Sequence, residues 1–233
     1  MLDYRGAIAD YTKAIELNSK YEHAYFNRAI ARNSLKDYKN ALADYSKVIE
    51  LNSQYDKAYY NRAKLKMLLQ DNAGAISDFS MVIKFNPSQT DAYYNRGLLK
   101  YETKDYNGAI TDFSLVVVIE PNHTNAYYNR GLARMQINYY SGSVADFGKA
   151  ISMNQNFENA YYNRGLARIE LKDYSSAIAD FTKVLQLNSS DANSYNNRGI
   201  AYFNLKQINE AIVDFTKAIE LNPQYEKALY NKA

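Results

Sequence analysis

Ala24-Tyr25-Phe26-Asn27-Arg28-Ala29 returns as Ala58-Tyr59-Tyr60-Asn61-Arg62-Ala63, and again from Ala92, Ala126, Ala160 and Ser194, with a last copy begun at Ala228. Every step is 34 residues, without insertion or deletion. A second signature keeps the same step: Ala7-Ile8-Ala9-Asp10-Tyr11, Ala41-Leu42-Ala43-Asp44-Tyr45, Ala177-Ile178-Ala179-Asp180-Phe181 and Ala211-Ile212-Val213-Asp214-Phe215. A fixed period of this size marks an array in which each unit is one supersecondary element that buries its apolar face against the next.

Each unit reads as two helices. Ala177, Ile178, Phe181, Val184 and Leu185 make one apolar stripe at helical spacing. In the preceding segment Tyr161 and Gly165 share a face, followed by Ile169. Small residues recur where two helices must approach closely, Gly97, Gly131, Gly165 and Gly199 in the first helix and Ala75, Ala109, Ala177 and Ala211 in the second. Asp37, Asp71, Asp105 and Asp173 stand as N-caps of the second helix. Asn86-Pro87, Glu120-Pro121 and Asn222-Pro223 close it, because the residue before proline is pushed out of the α region. No strand is predicted, and few glycines or prolines interrupt the helical pattern.

The 34-residue period with its small–aromatic–small columns resembles the tetratricopeptide repeat family along the whole chain. The motif residues are Tyr59, Tyr93, Tyr127 and Tyr161, then Gly or Ala, then Ala, Tyr or Phe, Ala or Val, and a terminal Pro. The resemblance implies an all-α fold, a right-handed superhelical solenoid of antiparallel helix pairs with a concave groove. On this reading residues 1–233 form one solenoid. Six full repeats start at Glu22, Asp56, Thr90, Thr124, Glu158 and Ala192. Residues 1–21 supply the second helix of a partial repeat, and 226–233 the start of a further one. Two departures from the family pattern stand out. Arg follows the recurring Asn where Leu is usual, and Arg32, Lys66, Lys100, Arg134 and Arg168 replace a frequent Tyr one turn later. The repeat from Thr124 matches least well, with Ser143 for Ala and Gly148 inside a helix, and is expected to be the least stable link.

The arginines Arg28, Arg62, Arg96, Arg130, Arg164 and Arg198 are matched in the second helices by Asp10, Asp44, Asp78, Asp112, Asp146, Asp180 and Asp214. Such partners can form bidentate, charge-assisted pairs that fix helix register. The alternative is an arginine-lined site for acidic peptides or phosphate. The pairing is the favoured reading, because matched aspartates leave few guanidinium groups for a ligand, and loss of Arg130 should then lower stability rather than ligand affinity.

In the family the first helix lines the groove. Two columns lie on it, Asn27, Asn61, Asn95, Asn129, Asn163, Asn197 and Asn231, and Phe26, Tyr60, Tyr94, Tyr128, Tyr162 and Tyr230, the latter interrupted at Asn196. Asn within a helix costs ~0.5 kcal/mol against Ala, so its recurrence asks for a reason. A carboxamide matches the donor and acceptor of a peptide unit and can hold an extended chain by its backbone. The column resembles the asparagine ladder in the repeat domains of O-linked N-acetylglucosamine transferases, and only the ladder residues carry over. The alternative is that each Asn bonds to the adjacent repeat and each Tyr packs helix on helix. Leu98, Leu132, Leu166 and Ile200 are expected deeper in the groove, with Tyr101, Met135, Ile169 and Phe203 one turn on. The expected ligand is an extended, apolar or uncharged peptide or partner segment. The basic clamp that some family members use for acidic chaperone C-termini is not supported.

The remaining composition excludes more than it suggests. A net charge of +3 argues for neither nucleic acid nor an anionic membrane, and no apolar run approaches a membrane span. Met1-Leu2-Asp3-Tyr4-Arg5 lacks a signal-peptide pattern. The chain has no Cys, and its only histidines, His23 and His123, have no recurring acid–base partner. No active site, metal or cofactor is expected, and the reading is a protein–protein interaction scaffold. The second reading is end-to-end self-association, with Ala228-Leu229-Tyr230-Asn231-Lys232-Ala233 pairing with the N-terminal helix of another copy.

Overall fold

The computed structural model describes residues 3–232, so Met1, Leu2 and Ala233 lie outside the described residues. Those described residues form fourteen α-helices and no strand. The first helices of the pairs are α2 (Glu22–Ser34), α4 (Asp56–Leu68), α6 (Thr90–Glu102), α8 (Thr124–Gln136), α10 (Glu158–Glu170), α12 (Ala192–Asn204) and the short α14 (Glu226–Lys232). The second helices are α1 (Tyr4–Leu17), α3 (Tyr38–Leu51), α5 (Asn72–Phe85), α7 (Tyr106–Ile119), α9 (Tyr140–Met153), α11 (Tyr174–Leu187) and α13 (Ile208–Leu221). The chain divides into two compact units, one ending at Ile119 and one beginning at Glu120. Within each, every helix packs against the next as antiparallel hairpins stacked side by side.

The turn inside each hairpin is the same six times and uses no glycine. Lys36, Gln70, Lys104, Asn138, Lys172 and Lys206 all adopt φ near +60°. In the first of them Lys36 N–H donates to Asn33 O (2.9 Å) and Asp37 N–H to Arg32 O (2.9 Å), the two bonds that close a helix through a left-handed residue. A side chain in that region costs roughly 1 kcal/mol, which the paired end carbonyls offset. The following helix is capped as expected at Asp71 (from Gly74 N–H, 3.0 Å), Asp105 (from Gly108 N–H, 2.9 Å) and Asp173 (from Ser176 N–H, 3.3 Å). Asp37 is a correction, since its carboxylate is taken by the Asn40 side-chain amide at 2.9 Å and caps no backbone N–H.

The turn between hairpins rests on asparagine more than on proline. Asn18, Asn52, Asn154 and Asn188 end their helices in extended backbone, as Asn222 does before Pro223. Their side chains accept from the N–H two residues on, for example Gln54 N–H to Asn52 Oδ1 at 3.1 Å. The asparagine thus supplies its own turn, and proline adds only a bias.

Between the helices of a pair, a first-helix small residue meets a second-helix ring. A Cβ built on Gly97, Gly131, Gly165 or Gly199 would lie 2.6–2.8 Å from Phe113, Phe147, Phe181 or Phe215. Those rings are 0–2 % exposed, and each stabilises its pair by about 2–3 kcal/mol. In the pair from Glu22 the ring is Tyr45 instead, 1 % exposed. Burial, and secondarily the charge of Asp44, pushes the Tyr45 phenol up to about 12.

A tyrosine that ionises at about 10 when unfolded but at about 12 when folded favours the fold below pH 10 and loses that preference as the pH rises to 12. Tyr45→Phe, which reproduces the ring of every other pair, should therefore flatten the alkaline fall in stability between pH 10 and 12. Denaturant midpoints measured across that range check it.

Candidate functional site

Each first helix presents two sets of side chains, one toward its own second helix and one toward the neighbouring first helices. The inward set is charged. Arg28 Nε and Nη2 donate to Asp44 at 2.9 and 2.8 Å, and the same fork joins Arg62 to Asp78, Arg96 to Asp112, Arg130 to Asp146, Arg164 to Asp180 and Arg198 to Asp214. Those aspartates are buried, Asp112 completely. Asp10, whose pair lacks a first helix among the described residues, is exposed.

The base one turn later shares the same carboxylate. Arg32, Lys66, Lys100, Arg134 and Arg168 reach the other side of Asp44, Asp78, Asp112, Asp146 and Asp180 at 2.6–2.9 Å. Nη1 of the first arginine turns to the preceding pair, donating to Thr12, Ser46, Ser80 and Thr182 hydroxyls at 2.9–3.0 Å from Arg28, Arg62, Arg96 and Arg198. Those of Thr12, Ser46 and Ser80 donate in turn to the carbonyl four residues back. The guanidinium also lies 5.4–5.9 Å from the ring centroid of Tyr25, Tyr59, Tyr93, Tyr127, Tyr161 or Tyr195. Hydrogen bonds donated to Asp214 hold the Arg198 guanidinium above even its ordinary high pKa. Gly148 breaks the series, leaving no hydroxyl for Arg164.

The second set carries the asparagine and tyrosine columns, all half-buried from Asn27 to Asn197 and from Tyr60 to Tyr162. Asn163 Nδ2 donates to Tyr128 Oη (3.1 Å) and to Asn159 O (2.8 Å), and Asn197 Nδ2 to Tyr162 Oη (3.1 Å). Asn95 Nδ2 donates to Asp91 O at 2.7 Å and stands near enough to the Tyr60 phenol to lower its pKa. Burial raises the Tyr60 and Tyr162 phenols, and the amide donor pulls them partly back. The rings of Tyr60, Tyr94, Tyr128 and Tyr162 lie 5.7–5.9 Å from Phe79, Phe113, Phe147 and Phe181. The stacking role weighed for both columns is therefore present in the contacts. Asn61 follows Phe26, which has no hydroxyl, by the same 35 residues and bonds to nothing among the described residues. Asn129 and Tyr94 hold the matching positions on α8 and α6.

Both columns also border open space. Asn27 lines a recess of about 200 Å³ with Tyr4, Tyr11 and Ile30. In the second unit Tyr162, Asn197, Leu166 and Ile200 line a cleft of about 660 Å³. Leu98, Leu132, Leu166 and Ile200 are half-buried as expected, and Phe203 is exposed. His123 is accounted for structurally, its Nδ1 accepting from Ala126 N–H at 3.1 Å to cap α8. The second bases and the Asn turns were not assigned a role from sequence, although both recur at the 34-residue step.

Models of the tetratricopeptide repeat match residues 23–55, 90–123, 124–157, 158–191 and 192–225, well over half of the chain. No curated protein sequence matches it. Among solved structures, YrrB, described as a TPR protein with an unusual peptide-binding site, superposes with a TM-score of 0.75 at 21% identity over 81% of this chain and 97% of its own. The C-terminal part of a TPR repeat-containing protein from Cytophaga hutchinsonii gives 0.80 at 17% identity over 99% and 95%. MamA gives 0.70 at 25% identity over 74% and 94%.

Two substitutions test the charged set. Asp112→Asn leaves Arg96 and Lys100 facing a neutral amide in a buried site, and should cost about 3–5 kcal/mol in chemical denaturation. Gly148→Ser adds a hydroxyl beside Arg164 Nη1, where a built Cβ lies 3.5 Å away, and removes a helical glycine. It should stabilise by about 1 kcal/mol and raise the melting temperature of the purified protein.

Proposed function

Because this chain belongs to the tetratricopeptide repeat family, we propose that it is a protein-interaction scaffold that holds an extended partner segment along the first helices. The observation that carries this reading is the state of the amides. In Asn95, Asn163 and Asn197 the Nδ2 donor is engaged by tyrosine oxygen, backbone carbonyl or both, while Oδ1 accepts from no described residue. The inter-repeat bond orients each carboxamide, and a peptide backbone N–H fits the acceptor left over.

The stacking and ladder roles of asparagine are thus complementary halves of one group. Tyr128 and Tyr162 fix the Asn163 and Asn197 amides, and the tyrosine column adds half-buried amphipathic area of the kind enriched at binding surfaces. Asn27, Asn61 and Asn129 extend the column at the same step. The arginines do not contribute, since the aspartates hold their forks. An uncharged segment is accordingly the favoured ligand. The peptide-binding site named for YrrB is compatible with this use of the fold.

A peptide-array screen tests the proposal with two variants of checked helix content. Asn95/Asn163→Ala removes two of the acceptors and should weaken selected peptides by about 10–100-fold. Tyr60/Tyr128/Tyr162→Phe removes only the orienting hydroxyls and should weaken them less. Unchanged binding in the asparagine variant would place the site elsewhere on the molecule.

A further inference from the structure

The aromatic column is interrupted in the second unit, where Asn196 stands in the place held by Tyr128 and Tyr162. The repeat dictates what surrounds a ring at this position. Nineteen residues on, a second-helix phenyl meets it, Phe147 at 5.7 Å from Tyr128 and Phe181 at 5.9 Å from Tyr162. Twenty-nine residues on, where that position is aromatic, a second ring lies alongside, Phe157 at 4.8 Å from Tyr128 and, in the first unit, Tyr55 at 5.2 Å from Phe26. Thirty-five residues on, an asparagine amide donates to the hydroxyl, as Asn163 and Asn197 do.

All three partners recur around position 196, as Phe215, Tyr225 and Asn231. The ring they would enclose is absent, and among the described residues no aromatic ring pairs with Phe215. Asn196 is 2 % exposed, and its Oδ1 accepts from Asn231 Nδ2 at 3.0 Å. Beside it opens the cleft of about 660 Å³, with Tyr225 and Asn231 in its lining. Phe215 and Asn231 border an adjoining space of about 690 Å³. Tyr225 is held in place, its hydroxyl donating to Asn193 Oδ1 at 2.8 Å.

We infer that this gap is an anchor pocket that takes a tyrosine side chain from the bound segment. The inference rests on the peptide-groove reading above. A ligand phenol completes the column: its edge meets Phe215, its face lies beside Tyr225, and its oxygen accepts from the second N–H of Asn231. Phenylalanine satisfies the two ring contacts but not the amide, and so binds less tightly. Glu226 and Lys227 at the rim carry opposite charges and favour neither sign of ligand.

The probe is N-acetyl-L-tyrosinamide, titrated into the full chain while the asparagine side-chain amides are followed by NMR. A saturable shift at Asn196, Asn197 and Asn231, absent with N-acetyl-L-alaninamide, is expected. N196Y, which fills the gap from within, should abolish that shift and keep or raise the melting temperature. Shifts that survive in N196Y, or no saturable shift in the parent chain, would overturn the pocket. Should N196Y misfold, Tyr225→Ala removes one wall from the surface side and should weaken the probe about tenfold, an unchanged affinity again overturning it. The groove reading fails separately. Peptides insensitive to the asparagine variant but sensitive to N196Y would keep the pocket without the ladder, and the reverse pattern would keep the ladder without the pocket.

Discussion

A carboxylate buried between two cations organises the helix pairs from Glu22 to Glu158, and in the α12–α13 pair Asp214 is held by Arg198 alone. Taking Asp112 out of water is unfavourable on its own, and the bidentate fork of Arg96 satisfies both of its oxygens. Lys100 adds an end-on ammonium to Oδ2 at 2.9 Å, so the carboxylate faces two positive charges. The fork's remaining arm reaches Ser80 on the preceding second helix, so a single guanidinium fixes the register of three helices at once. The phenylalanine columns supply more free energy, but a ring against a glycine tolerates sliding that a bidentate pair does not.

The rest of the molecule follows from how those charges are disposed. Because the aspartates hold the guanidinium groups, the adjoining positions of the first helix are left to amides and phenols. The same 34-residue step that stacks the carboxylates sets the Asn163 and Asn197 amides beside Tyr128 and Tyr162 of the pair before each. On the proposed reading, the surface offered to a partner is a by-product of the packing register, oriented before any ligand arrives. Such preorganisation reduces the ordering that binding must otherwise impose.

The period, the helix pairs and the Arg–Asp match were legible in the sequence because each depends on residues at a fixed separation. The close approach of Gly97 to Phe113 could be anticipated for the same reason. Three features were not legible. The second cation at Lys100 or Arg168 looked like a family departure, since nothing in its own helix shows that it shares an aspartate in the next. The turn at Lys36 and its counterparts carries a left-handed residue that sequence preference would assign to glycine. The asparagine donor bound to tyrosine spans 35 residues, one more than the repeat, so alignment of the repeats alone does not bring the two together.

Amide hydrogen exchange, compared with and without an array-selected peptide, tests most directly whether the partner lies on the first helices while the charged register stays intact. The account predicts added protection concentrated in α4, α6, α10 and α12, with the amides around Asp78, Asp112 and Asp180 slow in both states. Protection confined to the second helices, or fast exchange around those aspartates in the free protein, would contradict it.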